Sequence, residues 1–209
     1  MSKILTQGFF KRPAQEVAED LLGKIIVRRI GKKRLAVRIT ELEIYDGFKD
    51  LASHASKGQT PRNKIMFAEG GYFYIYLVYG MYYMINITTG EKNYPSAILL
   101  RGGTIVSKLK NLPTYKLETN LNGPARRNFS EKNLGGPGKL SKFLQVNKKF
   151  NEKLARPKNG LWFETDDSLK SKIKISKTPR IGVNYAGPIW SKKKWRYVIT
   201  QKHNLTKIY

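Results

Sequence analysis

The run YFYIYLVYGMYYMINIT, from Tyr72 to Thr88, constrains the fold of this chain more than any other stretch. Aromatic and β-branched residues dominate it and only Gly80 interrupts it, which predicts two strands meeting at a tip. Alternation places Tyr72, Tyr74 and Tyr76 on one face of the first strand and Phe73, Ile75 and Leu77 on the other, with Tyr79 beside the glycine at the turn. The hairpin holds six of the 12 tyrosines. It therefore offers two bulky faces and one projecting tip.

Upstream, Ala14, Val17, Ala18, Leu21 and Leu22 recur at helical spacing between Pro13, suited to a first turn, and Gly23, suited to a stop. Ile25 to Ile30 reads as a strand, Gly31-Lys32-Lys33 as a turn and Arg34 to Tyr45 as the returning strand. In that strand Leu35, Val37 and Ile39 share parity with Glu41, Glu43 and Tyr45, so an unbroken pleat aims both carboxylates at the apolar face. A bulge near Thr40 would reverse the pattern, since Leu42 and Ile44 lie on the other parity, and would leave the glutamates an ordinary solvated pair. At this point both readings stand.

Asp46 to Gly71 is rich in Gly, Ser, Asp, Thr, Pro and Asn and reads as a long loop, a kind of segment that is often functional in compact domains. Ala97 to Leu100 gives a buried strand ending at Arg101-Gly102-Gly103, and the polar, basic segment from Val106 to Ser130 reads as a loop or lid. In LGGPGKLSKFLQV, Leu134 to Val146, a glycine-rich turn leads into a helix starting near Pro137, whose first amides could hold a phosphate. GLWFE, PRIGVNYAG and WRYVI read as short strands and turns, with Trp162, Trp190 and Trp195 to bury. The expected architecture is one α+β domain over residues 1–209: a curved, mainly antiparallel sheet, short helices around it and the tyrosine hairpin protruding.

Lys and Arg number 40 against 15 Asp and Glu, a net charge of +25 that points to a polyanionic partner unless lysine-rich compositional bias inflates it. Cysteine is absent, which removes disulfides, thiol nucleophiles and sulfur-ligated metals. The opening residues lack the apolar stretch of a signal peptide and no run approaches a membrane span, so a soluble cytoplasmic protein without membrane contact is expected. The two histidines, His54 and His203, cannot build a zinc deaminase site without cysteine, and neither begins a His-x-Asp pair. Walker-type phosphate loops are missing. Carboxylate chemistry on DNA, RNA processing and binding without catalysis remain. A glutamate after an apolar strand, a histidine in a long loop and a tyrosine-rich hairpin could form a pocket for an unstacked base, with a tip residue filling the gap left in the duplex.

The segments LLGKIIVR, ELEIYDG, ASHASKGQTPRN, MFAEGGYFYIYLVYGMYYMIN, ILLRG, GGPGKL and PRIGV, in this order, together resemble the 3-methyladenine (alkyladenine) DNA glycosylase family, with matches from Phe9 to Trp195. The resemblance implies a monofunctional hydrolase, without metal or organic cofactor, that flips alkylated or deaminated purines from double-stranded DNA and leaves an abasic site. It places the general base on Glu43 and the arginine that helps hold the attacking water on Arg101. Tyr45, His54 and Tyr76 fall on positions enclosing the flipped base, and Asn86 on the one that crowds the exocyclic amine of guanine. Tyr79 matches the intercalating tyrosine, Met81 and Tyr82 further contacts with the opened duplex, and Thr60 to Asn63 a brace for the pocket. A monomer acting on nucleoid DNA is expected.

This sequence departs from the family pattern at Leu42 and Ile44, where small or hydroxylated residues usually flank the glutamate. Two rivals stand against the resemblance. Leu134, Gly136 and Gly138 fit a helix-hairpin-helix turn with Asp166 or Asp167 as catalyst, but no strong amphipathic helix precedes Leu134. A non-catalytic basic RNA-binding protein would explain the charge equally well, yet not Glu43 and Arg101 as a pair.

Overall fold

The computed structural model describes residues 3–106, 133–165 and 173–200. All but Val106 of the expected lid, together with Asp166, Asp167 and His203, lies outside the described residues. Helix α1 (Gln7–Phe10) is a single turn, and α2 (Ala14–Leu21) follows Pro13 as the spacing predicts, burying Ala14, Val17, Ala18 and Leu21. Strands β1 (Ile25–Ile30) and β2 (Lys33–Asp46) form the first hairpin, and β3 (Phe73–Val78) and β4 (Tyr82–Thr88) the second. Then come β5 (Ser96–Ile105), β6 (Asn133–Gly135), α3 (Pro137–Phe143), β7 (Leu161–Glu164), β8 (Ile175–Thr178), α4 (Gly187–Lys192) and β9 (Arg196–Ile199).

These strands make one sheet in the order β3-β4-β5-β2-β1-β7, with β6 beside β5 and β9 joining β2 to β8. Every pairing among them is antiparallel. One face carries the main core. Val37, Ile39, Phe73, Ile75, Ile85 and Ile98 meet the apolar side of α2 and Leu140, Phe143 and Leu144 of the α3 region. The fold is thus a single α+β domain with a mainly antiparallel sheet.

The register of β2 against β5 shifts on both sides of Glu41, which places the bulge beside Thr40. Ile39 and Leu42 therefore both face the core, and Glu41, Glu43 and Tyr45 turn to the opposite face of the sheet. That opposite face is not open to water, so the bulge is present and yet does not leave the glutamates a solvated pair. Ala55 and Met66 from the loop after β2 pack on Tyr74 and Ala97, while Ala52, Val183 and Ala186 pack with Tyr45 and Trp190. The loop and the segment before α4 thus roof a second layer, and Glu43 keeps no exposed surface.

Among the segments read as short strands and turns, PRIGVNYAG supplies turns, running through a 3-10 turn, Asn184–Ala186, into α4, and one smaller expectation changes. Trp162 is buried, but Trp190 and Trp195 are only half-buried, with the Lys193 ammonium 4.4 and 3.9 Å from their ring centres. Cation–π contact lets those rings stay at the surface.

At the tip of the second hairpin Tyr79 and Gly80 both adopt left-handed backbone, φ 52 and 65, and the Met81 N–H closes the turn on the Val78 carbonyl at 3.1 Å. Two successive positive φ values match the right-handed twist of the flanking strands. For a tyrosine this geometry is uncommon and strained. Tyr79 is 87% exposed and Met81 64%.

Candidate active site

Sheet register brings the strand residues of the site together. Glu43 pairs with Leu99, Leu99 with Asn86 and Asn86 with Tyr74, so one row across β2, β5, β4 and β3 carries these side chains on the same face. Two residues along, Tyr45 pairs with Ala97, and Tyr76 with Met84. Arg101 lies two residues from Leu99 on β5 and so joins that face.

Glu43 Oε1 accepts the Ile181 N–H at 2.7 Å, and Oε2 accepts the Tyr45 hydroxyl at 3.0 Å and Arg101 Nη1 at 3.3 Å. Burial pushes its carboxyl above the usual range; Arg101, the Ile181 N–H and the Tyr45 hydroxyl oppose that shift without cancelling it. Arg101 also donates through Nε to Glu41 Oε1 at 2.9 Å, and the same oxygen accepts Arg196 Nε at 2.8 Å. Burial acts to raise Glu41 too, but its two guanidinium partners win and hold it below the usual range. Two carboxylates on one strand are thus driven in opposite directions, Glu41 toward a permanent anion and Glu43 toward a group that can take up a proton.

Next to Glu43, reached through the Tyr45 side chain that donates to it, lies a pocket lined by Tyr45, Tyr76, His54, Tyr74, Asn86 and Tyr185. The His54 ring meets Tyr76 at a steep angle, centres 4.7 Å apart, and its Nδ1 is 2.8 Å from the Tyr74 hydroxyl. Burial, assisted by the positive charge of Arg62, lowers the His54 pKa, so the imidazole is neutral near pH 7. Burial pushes the Tyr74 hydroxyl up to about 12 and raises Tyr45 and Tyr76 as well, so these rings stay neutral. Asn86 donates through Nδ2 to the Tyr74 and Met84 carbonyls at 3.0 and 3.4 Å, which fixes its amide in the pocket wall. In the TPRN segment, Asn63 Nδ2 donates to the carbonyls of His54 and Gly58 at 2.8 and 3.0 Å, bracing the loop that carries His54.

Of the residues singled out in the sequence, Tyr45, His54, Tyr76 and Asn86 line this pocket, Glu43 and Arg101 adjoin it through the hydrogen bond from the Tyr45 hydroxyl to Glu43, and Tyr79 and Met81 stand at the hairpin tip. Tyr82, next to Met81, pairs with Val78 at the base of the tip, and its ring lies against Gly138, where an added Cβ would come within 2.7 Å of Cδ1. Sequence reasoning missed Tyr185, the Ile181 N–H, the Glu41–Arg196 contact and a buried Asp50–Arg180 pair. Arg180 and Ile181 sit inside PRIGV, but backbone amides and distant ion pairs leave no sequence pattern. Among the described residues no three His, Asp or Glu side chains gather where they could hold a metal ion. Nor is any helix there long and apolar enough to cross a membrane.

The chain belongs to the methylpurine-DNA glycosylase family, whose model matches residues 8–203. Among its relatives, a protein of Methanocella arvoryzae is 38% identical over 93% of this chain and 91% of its own length. One from Psychrobacter cryohalolentis is 36% identical over 99% and 97%, and one from Borreliella afzelii 39% identical over 91% and 93%. All three are provisionally named 3-methyladenine DNA glycosylase.

Proposed function

We propose that this protein is a monofunctional DNA glycosylase that takes alkylated or deaminated purines of the 3-methyladenine, 7-methylguanine and hypoxanthine type out of duplex DNA and hydrolyses the N-glycosidic bond. The observation that carries the reading is Glu43: a carboxylate without solvent exposure, pushed up by burial, held by Arg101 beside a tyrosine-lined pocket. A buried acid in such surroundings favours a general base.

In the proposed reaction Glu43 accepts a proton from water as the water oxygen bonds to the sugar C1′ and the C1′–N bond breaks. The base departs with that electron pair. A ring-methylated purine is already cationic and leaves neutral; hypoxanthine needs a proton as well. Arg101 favours the ionised form of Glu43 and so keeps the base competent. The faces of Tyr45 and Tyr76 favour a cationic purine by roughly 0.5–2 kcal/mol, and Asn86 helps to reject guanine. Tyr79 enters the duplex where the base has left, and Met81 and Tyr82 beside it make further contacts with the opened duplex.

We further propose that the protein works in the cytoplasm as a monomer, its charge of +25 giving binding that falls steeply with salt. The test is incubation with a duplex carrying one hypoxanthine and with methylated DNA, both in chelator. The expected result is free base and an intact abasic strand. Absence of release from both substrates overturns the proposal and returns the RNA-binding alternative.

A further inference from the structure

Arg180 and Asp50 form a two-pronged ion pair, Nη1 to Oδ2 at 2.6 Å and Nη2 to Oδ1 at 2.8 Å, with neither side chain exposed. Nη1 also donates to the Ile44 carbonyl at 2.8 Å, between Glu43 and Tyr45 in the chain. Nη2 reaches the Trp190 carbonyl at 3.3 Å, and the guanidinium lies 4.8 Å from the centre of the Tyr45 ring. Asp50 in turn accepts the Ala52 N–H on Oδ1 at 3.1 Å, and Ala52 lines the pocket. One buried pair therefore ties together β2, the loop leading to His54 and the segment running into α4.

Stability alone is a poor reason for such a pair, because well-packed apolar residues in place of a buried ion pair are often neutral or stabilising. Arg180 Nε is moreover buried without an acceptor among the described residues. What the pair does uniquely is fix the residue next to Arg180: Ile181, whose N–H makes the shortest hydrogen bond to Glu43.

We infer that Asp50 and Arg180 are positioning residues for the hydrolytic step, holding the Ile181 N–H on Glu43 Oε1 and the Tyr45 ring against the pocket. This rests on the reading of Glu43 as the base. Around Glu43 stand Glu41 and Tyr45 on its own strand, Arg101 on β5, Tyr76 on β3 and Tyr185 in the segment before α4. Arg180 and Asp50 act on Glu43 through the Ile181 N–H and the placement of Tyr45, so their loss weakens the hydrogen bonds that these two give Glu43 and leaves Glu41, Arg101, Tyr76 and Tyr185 in place. Without that N–H the Glu43 carboxyl rises further, and the acid limb of the rate profile moves to higher pH.

The experiment is single-turnover base release against pH for Arg180→Lys, Asp50→Asn and Glu43→Gln, with thermal melts and duplex-binding curves for each. Asp50→Asn keeps shape and carries the test should Arg180→Lys fail to fold. The expected result is about a 10- to 100-fold loss at neutral pH that shrinks as pH rises, with duplex binding retained. A loss of the same factor at every pH, or no loss, overturns the positioning role while leaving Glu43 untouched. Full activity in Glu43→Gln would instead overturn the reading of the base itself, and the positioning role with it.

Discussion

Arg101 donates to both carboxylates of β2, so Arg101→Met asks whether their opposite behaviour is set there. Methionine preserves much of the apolar stem and removes two charge-assisted hydrogen bonds, at 2.9 Å to Glu41 and 3.3 Å to Glu43. Such bonds contribute roughly 1.5–3 kcal/mol each. Glu41 keeps Arg196 at 2.8 Å, and the bond to Glu43 is long. The expected loss of stability at neutral pH is therefore about 2–3 kcal/mol, well short of the full sum.

Its pH dependence is the sharper test. Burial already holds Glu43 above its unfolded value, and Arg101 is the largest influence opposing that rise. Without Arg101, Glu43 rises further. A carboxyl raised on folding binds more protons folded than unfolded between its two pKa values, so stability falls as pH climbs through that window. Glu41 loses part of its depression, and with it stability that is present above its unfolded value and lost as pH falls through the folded one. Both changes put the deficit at neutral pH and shrink it below the ordinary carboxylate range. Urea melts of parent and variant from about pH 4 to about pH 8 read this directly, and the acid limb of base release should move upward in parallel. A deficit that stays constant or grows toward acid, or an unmoved acid limb, would refute the reasoning.

Tyr79→Gly removes a ring that is 87% exposed from a left-handed backbone, so melts should be unchanged or higher by up to about 1 kcal/mol while excision falls at least about tenfold; a clear loss of stability would show that the ring packs. Asn86→Ser opens the pocket wall and should raise release of unmodified guanine, measured as free base from undamaged duplex; unchanged discrimination would remove Asn86 from the selectivity argument. The His54 imidazole, followed by NMR in a His203→Gln background, should titrate below the ordinary value of about 6.5, and stability linked to its neutral form should be present above about 6.5 and lost as pH falls from there through the lowered folded value. A His54 pKa above that value would contradict its burial beside Arg62.

Much of this was legible in the sequence because it is periodic. The alternation in β3 and β4, the helix after Pro13 and the start of α3 at Pro137 all follow from spacing and backbone restriction. The bulge at Thr40 was legible as an option, since Leu42 and Ile44 break parity. What hid the outcome was the roof over the second face, built from residues distant in sequence such as Met66 and Val183. Local pattern specifies which side a residue takes and says nothing of whether that side is covered. For the same reason Asp50, Arg180 and Tyr185 were invisible: the ion pair joins residues 130 apart in the chain, and the Tyr185 hydroxyl donates to the distant Ala52 carbonyl. GLWFE, PRIGVNYAG and WRYVI, read together as short strands and turns, divide into strands at the first and last and turns at PRIGVNYAG, where Gly182 and Gly187 adopt positive φ.

The claim on which the rest depends is that Glu43 supplies the base while the tyrosine pocket and hairpin tip supply recognition. Glu43→Gln separates the two, because glutamine keeps the volume and an acceptor for the Ile181 N–H at 2.7 Å but takes up no proton from water. Single-turnover release of 3-methyladenine from methylated DNA should fall by about 10²- to 10⁴-fold, or roughly 3–5.5 kcal/mol in the transition state. Affinity for a duplex carrying the lesion should stay at the parent's level. Release at the parent's rate by Glu43→Gln would contradict the account.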